Sequence, residues 1–305
     1  MIYTLTLNPS LDYVVDVVDF QADKINRSTN EMIFPGGKGI NVSQVLKQLD
    51  TESCAIGLVA GFTGEHLKHL LDAYGITHDL MPLSNGMTRI NVKIRSRAET
   101  AVNGAGPQPT PDEVDNLKDR LRQLKSGDYL VMAGNLPKGL PDTLYRDIMT
   151  SLADRDVRTV VDATGTALTS VMDCGPFLIK PNHEELGELF NVRIEDPDTA
   201  LDYAARLQDR GVKNVLVSMG GRGAVLAAEN GGRYIVQAPS GTVKNTVGAG
   251  DSMVAGFLYG YRTDHCRESA LRYGAAAGSA TAFSDGLACR DDIEALLNNI
   301  TVIRR

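Results

Sequence analysis

One glycine-rich turn opening an apolar helix constrains this chain more than any other segment: NTVGAGDSMVAGF, residues 245–257. Gly248 and Gly250 stand directly before Asp251 and a run of small and apolar residues that reads as a helix. Such a turn presents unpartnered backbone N–H groups and the positive end of the helix dipole, which suits a phosphate. Asp251 is placed to take a proton from whatever attacks that phosphate. The pattern implies phosphoryl transfer, with the main chain of Gly248, Ala249 and Gly250 holding the anion and Asp251 as general base. The simpler alternative is a glycine turn whose Asp caps the helix.

Other glycine pairs do not fit the common nucleotide motifs. A dinucleotide fingerprint needs Gly-x-Gly-x-x-Gly after a strand. Gly37/Gly39 is followed by Val42 at the last position, Gly221/Gly223 by Leu226 and Gly248/Gly250 by Met253. The Gly37-Lys38 step is followed by Gly39 rather than Ser or Thr, so a P-loop is absent as well.

The 305 residues suggest one large α/β domain with an appendage, or about two domains. A net charge of −7 with scattered basic residues argues against nucleic acid or an anionic membrane as partner. No apolar run approaches the roughly 18 residues of a membrane span. The N-terminal MIYTLTLNPS begins like a strand rather than a signal peptide. Cys54, Cys174, Cys266 and Cys289 are widely spaced, as reduced thiols of a cytoplasmic protein would be. His66 and His69, one helical turn apart, read as a solvated face rather than a metal site.

Strand-like runs at 2–7, 53–59, 128–133, 158–162, 177–180 and 214–218 alternate with helical ones at 39–49, 64–74, 111–124, 142–153, 183–190, 198–210, 250–261 and 267–281. Runs of Val, Ile and Leu bounded by Gly, Asp or Pro mark strands buried on both faces. This order predicts a mostly parallel sheet with helices on both sides, a three-layer α/β/α body. Residues 12–34 and 87–103 instead alternate apolar and polar residues, as in DYVVDVV and TRINVKIRS. They predict a small β lid over the mouth of a body that spans 1–305 as one domain.

PGGKGINV (35–42) is a second glycine-rich turn opening a helix. With NPSLD (8–12) and NTVGAGDSMVAGF, in this order, it resembles the PfkB, or ribokinase-like, carbohydrate kinases over essentially the whole chain. TRINVK (88–93), VNGAGP (102–107) and MAGNLPKG (132–139) resemble the branch that phosphorylates ketohexose phosphates. The resemblance implies fructose 1-phosphate as first acceptor, with tagatose 6-phosphate as the alternative. It implies sugar binding by Asp12, whose carboxylate accepts hydrogen bonds from hydroxyls. Gly36, Gly37 and Gly39 let backbone approach a ligand, and Asn41 projects an amide from the first helical turn. Lys38 and Arg89 are candidates for the substrate's existing phosphate, Arg as a planar fork and Lys as a point charge. Arg27 is a weaker third candidate for that phosphate, and Asn103 and, behind it, Asn135 are candidates for contact with the sugar.

On the nucleotide side, IKPNHEEL (179–186) resembles the family's Asn-x-x-Glu element. Asn182 and Glu185 share a helix face and can hold the water shell of Mg²⁺, and the same pair can form a capping box. Lys180 is a candidate for a nucleotide phosphate. Ser218, Gly220 and Gly223 in SMGGRG lie, in relatives, against ATP, although a plain turn joining two strands also fits. RYGAAAGSATAF (272–283) suits packing around an adenine or against another helix. An ATP- and Mg²⁺-dependent kinase is therefore expected, with Asp251 ionised at neutral pH by its helix end. A homodimer through the lid is plausible. A kinase of unphosphorylated sugars would not need Lys38 or Arg89, and a non-catalytic sugar sensor would not need Asp251.

Overall fold

The computed structural model describes residues 1–305. In chain order the strands are β1 (Ile2–Thr6), β2 (Ser10–Asp16), β3 (Asn30–Gly36), β4 (Ser53–Val59), β5 (Thr77–Pro82), β6 (Arg89–Arg95), β7 (Thr100–Asn103), β8 (Tyr129–Ala133), β9 (Arg158–Asp162), β10 (Leu178–Ile179), β11 (Asn214–Ser218), β12 (Ala224–Ala227), β13 (Arg233–Val236) and β14 (Val302–Arg304). The helices are α1 (Lys38–Gln48), α2 (Gly61–Ala73), α3 (Pro111–Leu121), α4 (Leu144–Ser151), α5 (Gly165–Thr169), α6 (His183–Phe190), α7 (Pro197–Gln208), α8 (Ala249–Asp264), α9 (Arg267–Phe283) and α10 (Arg290–Leu297).

The main sheet has the order β14-β13-β12-β11-β10-β9-β8-β1-β4-β5. From β11 to β5 every pairing is parallel, and β12, β13 and β14 add to one edge antiparallel. Helices cover both faces because the strands are apolar on both. Leu130 and Met132 of β8 enter one apolar cluster with residues of α3, α4, α6 and α7. Tyr129, Val131 and Ala133, the alternate residues, enter another with α1, α8 and α9. This period of two follows from the pleat. The architecture is the ribokinase-like three-layer body expected of the chain.

A second sheet, β3-β2-β6-β7, forms the lid. Residues 10–16 and 30–36 build one hairpin and 89–95 with 100–103 the other, joined by parallel pairing of β2 with β6. The expected lid segments are thus strands, shifted by a few residues.

Several elements were not anticipated. β5, THDLMP, is an edge strand without a pattern, and α5 and α10 are short. The terminal NNITVIRR, which reads as either a last short strand or a frayed tail, is the strand: it ends in β14 against β13. The helix expected from 64 starts at Gly61, where Thr63 donates its hydroxyl to Thr88 O at 2.8 Å and compensates for poor helix formers. The small residues of α9 pack against α8: β-carbons on Gly274 and Gly278 would each lie 3.1 Å from a backbone oxygen of α8, Met253 O and Ala249 O.

Candidate active site

The site is assembled from the carboxyl ends of adjacent parallel strands. The chain leaves β1 at Thr6, β8 at Ala133, β9 at Asp162, β10 just before Lys180 and β11 at Ser218. Open α/β sheets bind ligands in the crevice at these ends, where strand order reverses. The reversal falls at β1, which lies between β8 and β4. Both glycine turns converge here. Gly37 is the N-cap of α1 with φ 124°, and Gly248 the N-cap of α8 with φ 81°. Neither glycine N-cap has a side chain to cap its helix; Thr6 Oγ1 of β1 accepts from Ile40 N–H in the first turn of α1 at 3.1 Å, and the first turn of α8 has no such partner.

Asn41 joins the two turns. Its Nδ2 donates to Asp251 Oδ2 at 2.8 Å, across 210 positions of sequence. Asp251 is buried. Burial first, and the nearby Asp162 charge second, push its pKa up to about 7, while Lys38, Asn41 and Lys180 oppose the shift. The helix end therefore does not keep Asp251 fully ionised at neutral pH, because loss of water outweighs the dipole.

Asp162, buried at the end of β9, holds two lysines. Lys38 Nζ and Lys180 Nζ each lie 3.3 Å from its Oδ1. Burial alone would raise the Asp162 pKa, but the Lys180 and Lys38 charges outweigh it and hold the carboxyl below its ordinary value. Burial likewise works against the Lys38 charge, and Asp162, Asp251 and Glu185 overcome it, raising the lysine. Lys180 is 6% exposed, Lys38 39%. A β-carbon on Gly250 would lie 3.1 Å from Lys180 Nζ, so that ammonium abuts the first turn of α8. Lys38, expected beside the acceptor's own phosphate, pairs its ammonium with Asp162 in the same cluster as Lys180.

Under the lid, Asp12 is held from three sides. Ser10 Oγ and Asn91 Nδ2 donate to its Oδ1 at 2.8 and 2.9 Å, and Lys93 Nζ lies 3.0 Å from its Oδ2. Gly36 must lack a side chain because a β-carbon there would sit 2.5 Å from Asp12 Oδ1. Those on Gly37 and Gly39 would meet Thr6 at 2.7 and 2.6 Å, so these two glycines serve the packing of α1 on β1. Arg89 Nε donates to Asn8 O at 3.1 Å. Asn103 is exposed and faces Asn91 across the strand pair. Arg27 and Asn135 are both exposed on loops.

Asn182 and Glu185 form the capping box of α6: each accepts from the other's backbone N–H at 2.8 Å. The cap employs Asn182 Oδ1 and Glu185 Oε2, leaving Glu185 Oε1 for water-mediated contact. No three His, Cys, Asp or Glu side chains cluster as an inner metal shell. One outward carboxylate oxygen fits a hydrated Mg²⁺, which keeps most of its waters. Ser218 pairs with Asn182 in an isolated parallel bridge, and Gly220 and Gly223 shape the turn from β11 to β12. At Gly223 a β-carbon would meet Val236 O at 2.0 Å, which only glycine avoids.

Two participants escaped the sequence reading. Lys93 follows Arg89 and Asn91 in the same alternation and was legible from it. Asp162 carries no local signal beyond its place at the end of an apolar strand.

A buried carboxylate, two lysines and two glycine-capped helix starts at the carboxyl edge of a doubly covered sheet define a small-molecule kinase of ribokinase-like architecture. Residues 5–292 match the pfkB family of carbohydrate kinases, and the chain belongs to that family. It is 42% identical over 304 residues to the 1-phosphofructokinase of Bacillus subtilis, covering 100% of both chains. It is 34% identical over 288 residues to the D-tagatose-1-phosphate kinase of Bacillus licheniformis, covering 94% of each. Phosphofructokinase-2 from Escherichia coli in complex with fructose-6-phosphate superposes with a TM-score of 0.91 at 30% identity, covering 98% of each chain.

Proposed function

We propose that this enzyme transfers the γ-phosphoryl group of ATP to fructose 1-phosphate, yielding fructose 1,6-bisphosphate and ADP. The observation that carries the chemistry is the buried Asp251, held by Asn41 beside the Lys38–Asp162–Lys180 cluster. The substrate rests on the full-length Bacillus subtilis relative. Asp251 accepts the proton of the acceptor's primary hydroxyl as its oxygen forms the new bond to phosphorus and the bond to the ADP oxygen breaks. The N–H groups of Gly248 and Gly250 serve the charge that spreads over the transferring group, and Ala249 N–H, which bonds Thr246 O at 3.2 Å, joins them once that bond is released. Lys38 and Lys180, fixed on Asp162, add two positive charges to the same place. Asp12, with Gly36, Asn41, Arg89 and Asn103 around it, holds the acceptor. The lid excludes water and so suppresses ATP hydrolysis.

On the nucleotide side, Ser218, Gly220 and Gly223 line the ATP, with Lys180 near its phosphates. Glu185 and Asn182 hold Mg²⁺ through water. When bound, that ion neutralises charge on the nucleotide phosphates. The lid also supports a homodimer: Ile25, Ile33, Phe34 and Val102 are exposed there, Ile25 to 91%. No helix is long and apolar enough to cross a membrane, and dispersed cysteines suit a cytoplasmic enzyme.

A tagatose phosphate is the second reading, favoured by the Bacillus licheniformis relative. Fructose and tagatose differ only in the configuration at C4, so ring hydroxyls would distinguish the two 1-phosphates, whereas tagatose 6-phosphate also carries its phosphate at the opposite end of the sugar. A coupled assay of ADP release with fructose 1-phosphate, tagatose 1-phosphate, tagatose 6-phosphate, fructose 6-phosphate and fructose tests the proposal. Fructose 1-phosphate is expected to show the highest kcat/KM. A higher value for any other acceptor replaces the reading.

A further inference from the structure

We infer that Tyr145, a buried residue of α4, is a positioning residue that holds Lys38 in place for phosphoryl transfer through the backbone of Gly134. The inference deepens the kinase reading above and rests on it. α4 lays Leu144, Tyr145, Ile148 and Met149 into the apolar cluster that also takes Leu130 and Met132 of β8. Tyr145 is fully buried there. A buried hydroxyl costs free energy unless it is bonded, and a phenylalanine would fill the same space without that cost. The Tyr145 hydroxyl donates to Gly134 O at 3.0 Å. Burial first, and the Asp162 charge second, push the phenol far above its ordinary value, so it stays a donor at every working pH.

Gly134 carries that bond to the site. It directly follows Ala133, the last residue of β8, and its φ of 99° lies in the left-handed region that favours glycine. Its N–H donates to Asp162 O at 3.0 Å, so its two peptide groups are pinned, one to β9 and one to α4. A β-carbon on Gly134 would lie 3.8 Å from Cβ and Cγ of Lys38 and 4.0 Å from its Cδ. The lysine stem therefore runs past this bare α-carbon before its ammonium comes within 3.3 Å of Asp162 Oδ1. Lys38 is 39% exposed and its four-carbon stem is flexible, so the Gly134 wall limits where the charge can go. Lys180, 6% exposed, is confined by its own burial. Without the Tyr145 hydroxyl the Gly134 carbonyl loses its partner, the turn is free to rotate, and Lys38 loses its wall.

The test compares wild type with Tyr145→Phe, Lys38→Met and the double variant, each with the acceptor that gives wild type its highest kcat/KM. Tyr145→Phe is expected to lower kcat about fivefold, with KM for the acceptor and for ATP within about twofold of wild type. The acid limb of its pH profile should move to higher pH. Lys38 and Lys180 are the charges that hold the Asp251 pKa down against burial and Asp162, and a displaced Lys38 does so less. In the Lys38→Met background the same change should cost less than about twofold, because residues that act through one another do not lose activity additively. Equal losses in both backgrounds overturn the inference, as does an unchanged kcat. An acid limb that stays in place overturns it as well, since Tyr145 would then serve packing alone. So does a raised acceptor KM at unchanged kcat, which would assign the bond to Asn135 and the sugar. A better acceptor than fructose 1-phosphate would replace the proposed substrate and leave these comparisons in force.

Discussion

Asn41 Nδ2 donates to Asp251 Oδ2 at 2.8 Å, and this bond ties the first turn of α1 to the first turn of α8. The two residues are 210 positions apart. One belongs to the glycine turn that adjoins Asp12, the other to the glycine turn that opens α8, so the bond brings the proposed acceptor site and the proposed anion site to one carboxylate. Removing water from that carboxylate raises its proton affinity, and the activity inherits the shift.

The free enzyme is therefore expected to lose activity as pH falls through about 7, the value to which burial and Asp162 raise Asp251. A base must be ionised, so kcat/KM for the sugar phosphate declines on the acid side of that point. A pH profile of kcat/KM measures it; an acid limb near 4 would mean that Asp251 titrates as an ordinary carboxyl.

Stability should change in the opposite sense. Below pH about 4 the folded and unfolded states both carry the Asp251 proton. Between about 4 and 7 the folded state keeps a proton that the unfolded state has released, so stability falls with rising pH, and above 7 the deficit is complete. Asp251→Asn removes this cost. Its Tm without ligands is expected to exceed that of wild type at pH 8, with the gain shrinking toward pH 4. A variant less stable than wild type at pH 8 contradicts the raised pKa.

Asp162→Asn leaves Lys38 and Lys180 without their shared carboxylate. Breaking a buried ion pair on one side costs about 3–5 kcal/mol. The low end, about 3 kcal/mol, is expected because Lys38 is 39% exposed. Urea unfolding with an unchanged slope reads this directly. The acid limb should also move to lower pH, since Asp251 loses a negative neighbour while both lysines remain. A limb that stays in place would separate Asp162 from the base.

Glu185→Gln keeps an oxygen for the capping box of α6 and removes the charge. Stability should stay within about 1 kcal/mol, whereas the Mg²⁺ concentration giving half-maximal activity should rise. Unaltered magnesium dependence would leave Glu185 as a cap alone.

Much of this arrangement was written locally. β1, β4, β8, β9, β10 and β11 lie in apolar runs cut by Gly, Asp or Pro, and the lid strands alternate in TRINVKI and DYVVDVV. The glycine turns at Gly37 and Gly248 are local motifs, and so is the Asn182–Glu185 box. What stayed hidden depends on neighbours distant in sequence. Asp162 ends a strand as many aspartates do, and only the order β8-β9-β10 brings Lys38 and Lys180 to it. Lys38 is a cation among glycines in the chain, with no local sign that it reaches across to β9. The Asp251 pKa likewise comes from burial by α1 and α9, which no helix-end argument contains.

The most direct test of the account is the single-turnover and steady-state kinetics of Asp251→Asn with fructose 1-phosphate and ATP. Turnover is expected to fall about 10²-fold or more, with both KM values within about threefold of wild type. Turnover close to wild type in a folded, substrate-binding variant would contradict the role given to Asp251.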